Sequence, residues 1–258
     1  MNLQEWLDSG YSYYTKEDQL ELTDLDCEYS KITSLEGIEK FPNLTFLNCG
    51  GNQLTSLEGI ESLTNLISLD CCENQLTSLK ELSNLNKLEA LFFSQNQITS
   101  LNDLENLSNL SVLGCNDIEN ISLKGIEKLS TIKYLICYRN GLESFEYIDK
   151  LVNLERLFIS DNKLKSLKGI EKLTGLTELN IERNLLTSLD GIEYLRNLDS
   201  LEISENKLTS LDGIEKLTKL DIFFCTGNPL KYKSNKLPDI IKEIKIEKRK
   251  AKISKLIL

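Results

Sequence analysis

The sequence contains no histidine, and only three prolines, one methionine and one tryptophan among 258 residues. Without histidine there is no imidazole general base, no Ser-His-Asp or Cys-His nucleophile pair and no imidazole metal ligand. Long apolar runs are lacking too; uninterrupted stretches reach a few residues, far short of the ~20 a bilayer-spanning helix needs. The first residues, MNLQEWLDSGYSYY, have no basic leader and no apolar stretch, so no secretory signal is expected. Positive charge is in deficit. Thirty Lys and Arg face 40 Asp and Glu, a net charge of −10, the wrong sign for direct nucleic-acid binding by bulk charge. A Gly-rich phosphate loop is also missing, since Gly50-Gly51 is followed by no lysine–serine pair. Disorder is excluded by the plentiful Leu, Ile, Val and Phe.

What is present is a repeat. Asn52, Asn74, Asn96, Asn140, Asn162, Asn184, Asn206 and Asn228 lie at multiples of 22 residues, and Ser34 through Ser210 keep the same period unbroken. Units starting at Leu22, Leu44, Leu66, Leu88, Leu110, Ile132, Leu154, Leu176 and Leu198 give nine full repeats, with a truncated tenth from Leu220 to Leu230. The spacing predicts one repeat array over 22–230 rather than two domains, flanked by an N-terminal cap over 1–21 and a basic C-terminal cap or tail over 231–258. Apolar residues fall at positions 1, 4, 6, 11, 14, 17 and 20, as in Leu44, Leu47, Cys49, Leu54, Leu57, Ile60 and Leu63. The alternation around positions 3 to 7 predicts a short half-buried strand, and the threefold spacing over 14 to 20 a short 3-10 turn. Asparagine at position 9 suits a sharp bend because its amide can satisfy backbone groups of its own and the neighbouring turn. No unit can bury its apolar residues alone, so stacking creates the core.

The pattern LxxLxCxxNxLTSLxGIExLxN resembles the leucine-rich repeats of the SDS22-like and internalin-like 22-residue class. It covers about residues 22–230. The resemblance implies an α/β leucine-rich-repeat solenoid, with a curved parallel β-sheet on the concave side and short 3-10 or helical turns on the convex side. The end Gly227-Asn228-Pro229-Leu230, followed by Leu237-Pro238-Asp239-Ile240, resembles the C-terminal cap of the SDS22 type. Leu3, Trp6 and Leu7, at helical spacing, belong to the N-terminal cap.

Cysteines 27, 49, 71, 115, 137 and 225 share position 6 with Phe93, Ile159, Ile181 and Ile203, which makes them small core hydrophobes rather than ligands or half-cystines. Unpaired thiols in odd number favour a reducing compartment, so a cytoplasmic location is expected. Cys72, at position 7, is expected to face out of the sheet. The fifth repeat departs from the pattern, with Ile118 where asparagine should stand; Asn116 or Asn120 is expected to substitute after a local rearrangement.

Alternation sends positions 3, 5, 7 and 8 to the concave face, where ten strands at ~4.8 Å spacing would span roughly 45 Å. That suits a protein partner better than a metabolite. Phe92, Tyr134, Ile136, Tyr138, Arg139, Arg156 and Phe158 form the expected partner-binding group, since aromatics flanked by arginines have the composition of interface hot spots. An acidic flank is expected on the same face: Asp24, Asp26, Glu28, Asp70 and Glu73 at one end, Glu178, Glu182, Glu202 and Glu205 at the other. Residues 231–258 hold ten Lys and Arg against three acids, a local charge of +7.

The expected function is a non-enzymatic protein–protein interaction module acting as an adaptor or regulatory subunit, the latter as the resemblance to SDS22, a phosphatase regulator, implies. The alternative is a stoichiometric inhibitor that offers its acidic concavity to a basic, nucleic-acid-handling enzyme. Paired carboxylates on an open sheet have nothing to desolvate them, so no catalytic residue is expected. Nor is a cofactor, a metal, a membrane or direct nucleic-acid contact, and the chain is expected to be a monomer.

Overall fold

The computed structural model describes residues 1–9, 20–232 and 236–257, and side chains through residue 250. Residues 10–19 of the expected N-terminal cap, and 233–235 and 258 of the expected tail, lie outside the described residues. Each repeat contributes one three-residue strand at positions 3 to 5: β1 (Asp24–Asp26), β2 (Phe46–Asn48), β3 (Ser68–Asp70), β4 (Ala90–Phe92), β5 (Val112–Gly114), β6 (Tyr134–Ile136), β7 (Arg156–Phe158), β8 (Glu178–Asn180), β9 (Ser200–Glu202) and β10 (Ile222–Phe224). The strands stop at position 5, two residues before the sequence pattern would end them, although bonds between turns continue beyond it, as from the Cys49 N–H to the Asp70 carbonyl.

The contacts divide the chain into two compact units, Met1–Asn140 and Gly141–Leu258. In the first, β1 to β6 pair in parallel and in sequence order, each residue beside the one 22 later: Asp24 beside Phe46, Val112 beside Tyr134. In the second, β7 to β10 do the same. The unvarying repeat length sets this register, because one residue more or less would turn the buried column out to solvent. The buried column is position 4, Leu25 to Leu201, together with position 6.

The asparagines hold successive turns together. Asn52 Nδ2 donates to the carbonyls of Cys27, Cys49 and Gly50 at 2.9–3.0 Å, while its Oδ1 accepts from the N–H groups of Ser30 and Ile32. Asn74, Asn184 and Asn206 repeat the donor arrangement in their own turns. The fifth repeat has Ile118 in the asparagine's place. Ile118 is buried, its N–H donates to Asn140 Oδ1 at 2.9 Å, and Asn116 Oδ1 accepts from the Tyr138 N–H at 3.0 Å. Of the two expected substitutes Asn116 is buried and ties its turn to the next through Tyr138, whereas Asn120 is exposed.

Opposite the strands, short 3-10 turns at positions 17 to 19, such as Ile60–Ser62, follow a glycine in the left-handed region, Gly59 at φ 99°. The third and fourth repeats have Glu81 and Asp103 at that place, and their turns start two residues earlier, at Lys80 and Asn102. Tyr147 keeps the glycine-like geometry without glycine, at φ 70°. Near the N-terminus α1 (Leu3–Asp8) starts with an Asn2/Glu5 capping box and buries Leu3, Trp6 and Leu7. Near the C-terminus α2 (Leu237–Ile257) packs Ile240 and Ile244 inward against the turn Ile214–Lys216, where Lys248 pairs with Asp212 and Glu215.

Candidate functional site

The alternation that buries Leu113 and Leu135 turns their strand neighbours outward, so each strand offers positions 3 and 5 to solvent. In the first unit Phe92, Gly114 and Ile136 stand side by side in register on β4, β5 and β6. Gly114 is what lets the column close up: a Cβ there would lie 2.6 Å from the Phe92 ring, so the ring covers the glycine. Tyr134 and Tyr138 are half-buried beside Ile136, and the Arg139 guanidinium sits 5.5 Å from the centre of the Tyr138 ring while reaching Asp117 at 3.4 Å. Five of the seven expected partner-binding residues therefore share this face.

The other end of that face is acidic. Asp24, Asp26 and Glu28 are exposed and Asp70 is half-buried, with Glu73 exposed beside them. Positions 3, 5, 7 and 8 of the first four repeats include no Lys or Arg. Tyr29 lies over Gly51, where a Cβ would meet its ring at 2.2 Å, and its hydroxyl donates to Glu73. That carboxylate raises the phenol above its ordinary pKa. Asp70 also accepts from the N–H of Cys72 at 2.9 Å. Cys72 itself is half-buried rather than freely exposed, and burial, with the Asp70 charge second, pushes its thiol up to about 12. No activated nucleophile results.

In the second unit Arg156 and Phe158 occupy the corresponding outward positions of β7, Arg156 exposed and Phe158 half-buried. Here the acidic flank is partly neutralised. Arg156 lies 3.6 Å from Glu178, and Arg183 reaches both Glu182 at 3.3 Å and Glu205 at 3.1 Å. Glu202 accepts from the Ser204 N–H. Burial raises the Glu182 carboxyl despite Arg183, with Glu202, Glu205 and Asp161 adding to the rise.

Ile222 and Phe224 on β10, 51% and 53% exposed, are the most open apolar side chains on the strands, and sequence reasoning did not place them in the site. Their signal was positional: they belong to the truncated tenth repeat, whose strand is the last among the described residues. On the turn side of this unit a cavity of about 520 Å³ lies between Ser144–Lys150 and Ser166–Lys172. Its one low-lying carboxyl, Asp149, is held below the ordinary range by Lys172 and Lys150, which leaves it an ion-pair partner rather than a general acid. Among the described residues no group of three or more Cys, Asp or Glu could hold a metal ion, and no helix is long and apolar enough to cross a membrane.

A family model described as leucine-rich repeats in two copies matches residues 21–62 and 152–194. No curated protein matches the sequence. Among solved structures, internalin C2 from Listeria monocytogenes str. 4b F2365 is similar at 26% identity and a TM-score of 0.68, over 76% of this chain and 84% of that one. The functional domain of InlJ from Listeria monocytogenes, which includes a cysteine ladder, matches at 28% identity and 0.64, over 83% of this chain and 51% of that one. The leucine-rich-repeat protein LIC12759 from Leptospira interrogans matches at 26% and 0.65, over 89% and 72%. Leucine-rich-repeat proteins are in general protein-interaction modules and typically not enzymes. The repeats of this chain are leucine-rich repeats of the 22-residue, internalin-like class.

Proposed function

We propose that the chain binds a protein partner through its outward strand residues, as an adaptor or regulatory subunit, with Phe92, Tyr134, Ile136, Tyr138 and Arg139 offered by the first unit and Arg156 and Phe158 by the second. The observation that carries this reading is the apolar column Phe92–Gly114–Ile136, left partly open on a strand ladder whose own core is already complete. Such a surface is preorganised, so a partner loses little ordering entropy on docking. All seven cysteines are free, which suits a reducing compartment such as the cytoplasm.

Affinity capture from native extract identifies the partner, and substitutions then locate the contact. Tyr138→Ala and Phe158→Ala should each weaken binding by about 1–3 kcal/mol with melting unchanged. Leu135→Ala, one step inward and fully buried, should instead lower stability by about 2–5 kcal/mol. Wild-type affinity in both surface variants would remove the sheet face from consideration.

A second reading has its own observation. The carboxylates Asp24, Asp26, Glu28, Asp70 and Glu73 have no cation beside them at positions 3, 5, 7 and 8 of the first four repeats. That face suits the basic groove of a nucleic-acid-handling enzyme, which the chain would inhibit by occupying it. Salt separates the two. An acidic mimic loses association rate steeply as the Debye length falls from ~10 Å at 0.1 M to ~3 Å at 1 M, whereas an apolar contact does not.

A further inference from the structure

Helix α2 uses one face to pack on its own unit and leaves the other unoccupied. Ile240, Ile244 and Lys248 point inward. On the opposite side Lys242, Lys245, Ile246 and Arg249 are exposed, Ile246 to 44%, and with Pro238 and Ile241 they line an open groove of about 430 Å³. Spacings of three, four and seven residues put these side chains on one helical stripe. Lys242, Lys245 and Arg249 have no ion pair among the described residues, although Lys248 one turn from Lys245 has two.

The first unit of the same chain carries the complement. Outward residues of β1 and β3, and of the bends that follow, supply Asp26, Glu28, Asp70 and Glu73, with half-buried Phe46 between them on β2. The dimensions agree. Lys242 and Arg249, seven residues apart, are separated by ~10.5 Å along a helix axis. The carboxylates of β1 and β3 are two strand spacings apart, ~9.6 Å. A helix laid across the strands would therefore set a cation against each acidic strand and Ile246 toward Phe46.

We propose that α2 of one molecule docks by this face on the β1–β3 face of a second copy, so that the chain self-associates head to tail. A net charge of −10 on the chain makes an anionic membrane the less suitable occupant, because most of the molecule would be repelled by it. Unlike surfaces meet in this arrangement, so it continues into chains or closes into rings. The expected monomer is then the high-salt form.

The test is sedimentation velocity of the full chain at increasing concentration, in low salt and in 1 M salt, with melting curves to confirm folding. Wild type should associate at low salt and weaken by more than about tenfold in 1 M salt. Reversing the helix face (K242E, K245E, R249E) should abolish association, and so should reversing the sheet face (D26K, D70K, E73K). Mixing the two reversed proteins should restore a complex, because each now offers what the other lacks. A wild type that stays monomeric throughout overturns the proposal. So does association that survives both salt and the helix reversal, which would point to the open β10 edge. Binding of monomers to anionic phospholipid vesicles, lost in the helix-reversed variant and without self-association, would overturn it in favour of a membrane.

Discussion

Raising the pH should unfold this protein through its thiol ladder. Cys27, Cys49, Cys71, Cys115 and Cys137 are enclosed at position 6, and burial is the first cause that lifts each thiol above its ordinary pKa, Cys27 and Cys115 to about 12. In the unfolded chain the same groups titrate near ~8.5. Below that value both states keep the protons and stability is independent of these groups. Above it the unfolded state releases protons that the folded state retains, so stability is lost as pH rises. Between pH 8.5 and 9.5 each enclosed thiol should cost about 1 kcal/mol, and the five together about 5 kcal/mol, before lysines titrate appreciably. The assay is urea unfolding under reducing conditions at intervals across that range. A variant carrying Cys49→Ala, Cys71→Ala and Cys137→Ala loses some packing at every pH, but its loss over the same interval should be smaller than the wild type's by about 3 kcal/mol. Equal pH slopes in the two proteins would mean that the position-6 thiols are not enclosed, and the register would be wrong.

Three further outcomes follow from particular contacts. Cys72 should react with a thiol reagent before the ladder cysteines, yet about a thousandfold more slowly at pH 8 than a small free thiol, since its thiolate is scarce; mass spectrometry of timed samples checks both, and equal rates at all seven cysteines would contradict the register. Asn184→Ala strips three carbonyls and the Leu164 N–H of their partner and should cost about 2–4 kcal/mol by denaturant unfolding, where an exposed Asn43→Ala costs under about 1 kcal/mol. Gly114→Ala should swing the Phe92 ring off β5, visible as a shift of its aromatic NMR signals and as weaker partner binding with little change in melting temperature.

The repeat made most of the fold legible. Strand and core positions could be assigned because the same chemical choice recurs at each multiple of 22, as Cys49, Cys71 and Phe93 do at position 6. Ile118 was legible as an exception, but the bond of Asn116 to the Tyr138 N–H was not, since one sequence position does not reveal a partner's hydrogen bond. The site was less legible. Charge could be counted, but the pairing of Arg183 with Glu182 and Glu205 depends on side chains of adjacent turns leaning together, so the second acidic flank looked stronger than it is. Phe224 stood in the position-5 column like its neighbours, and its exposure comes from the end of the ladder rather than from its own repeat.

The asparagine ladder has a consequence for how such a surface can change. Asn52 ties its own turn to the one before it and reaches no further. Substitutions on β2 and β5, which share no such bond, should therefore act independently, whereas those on neighbouring strands should be coupled. An outward residue such as Asn48 can then be exchanged without renegotiating the rest of the ladder. Selection can rewrite the exposed face one turn at a time, and a new specificity can be reached through a series of folded intermediates.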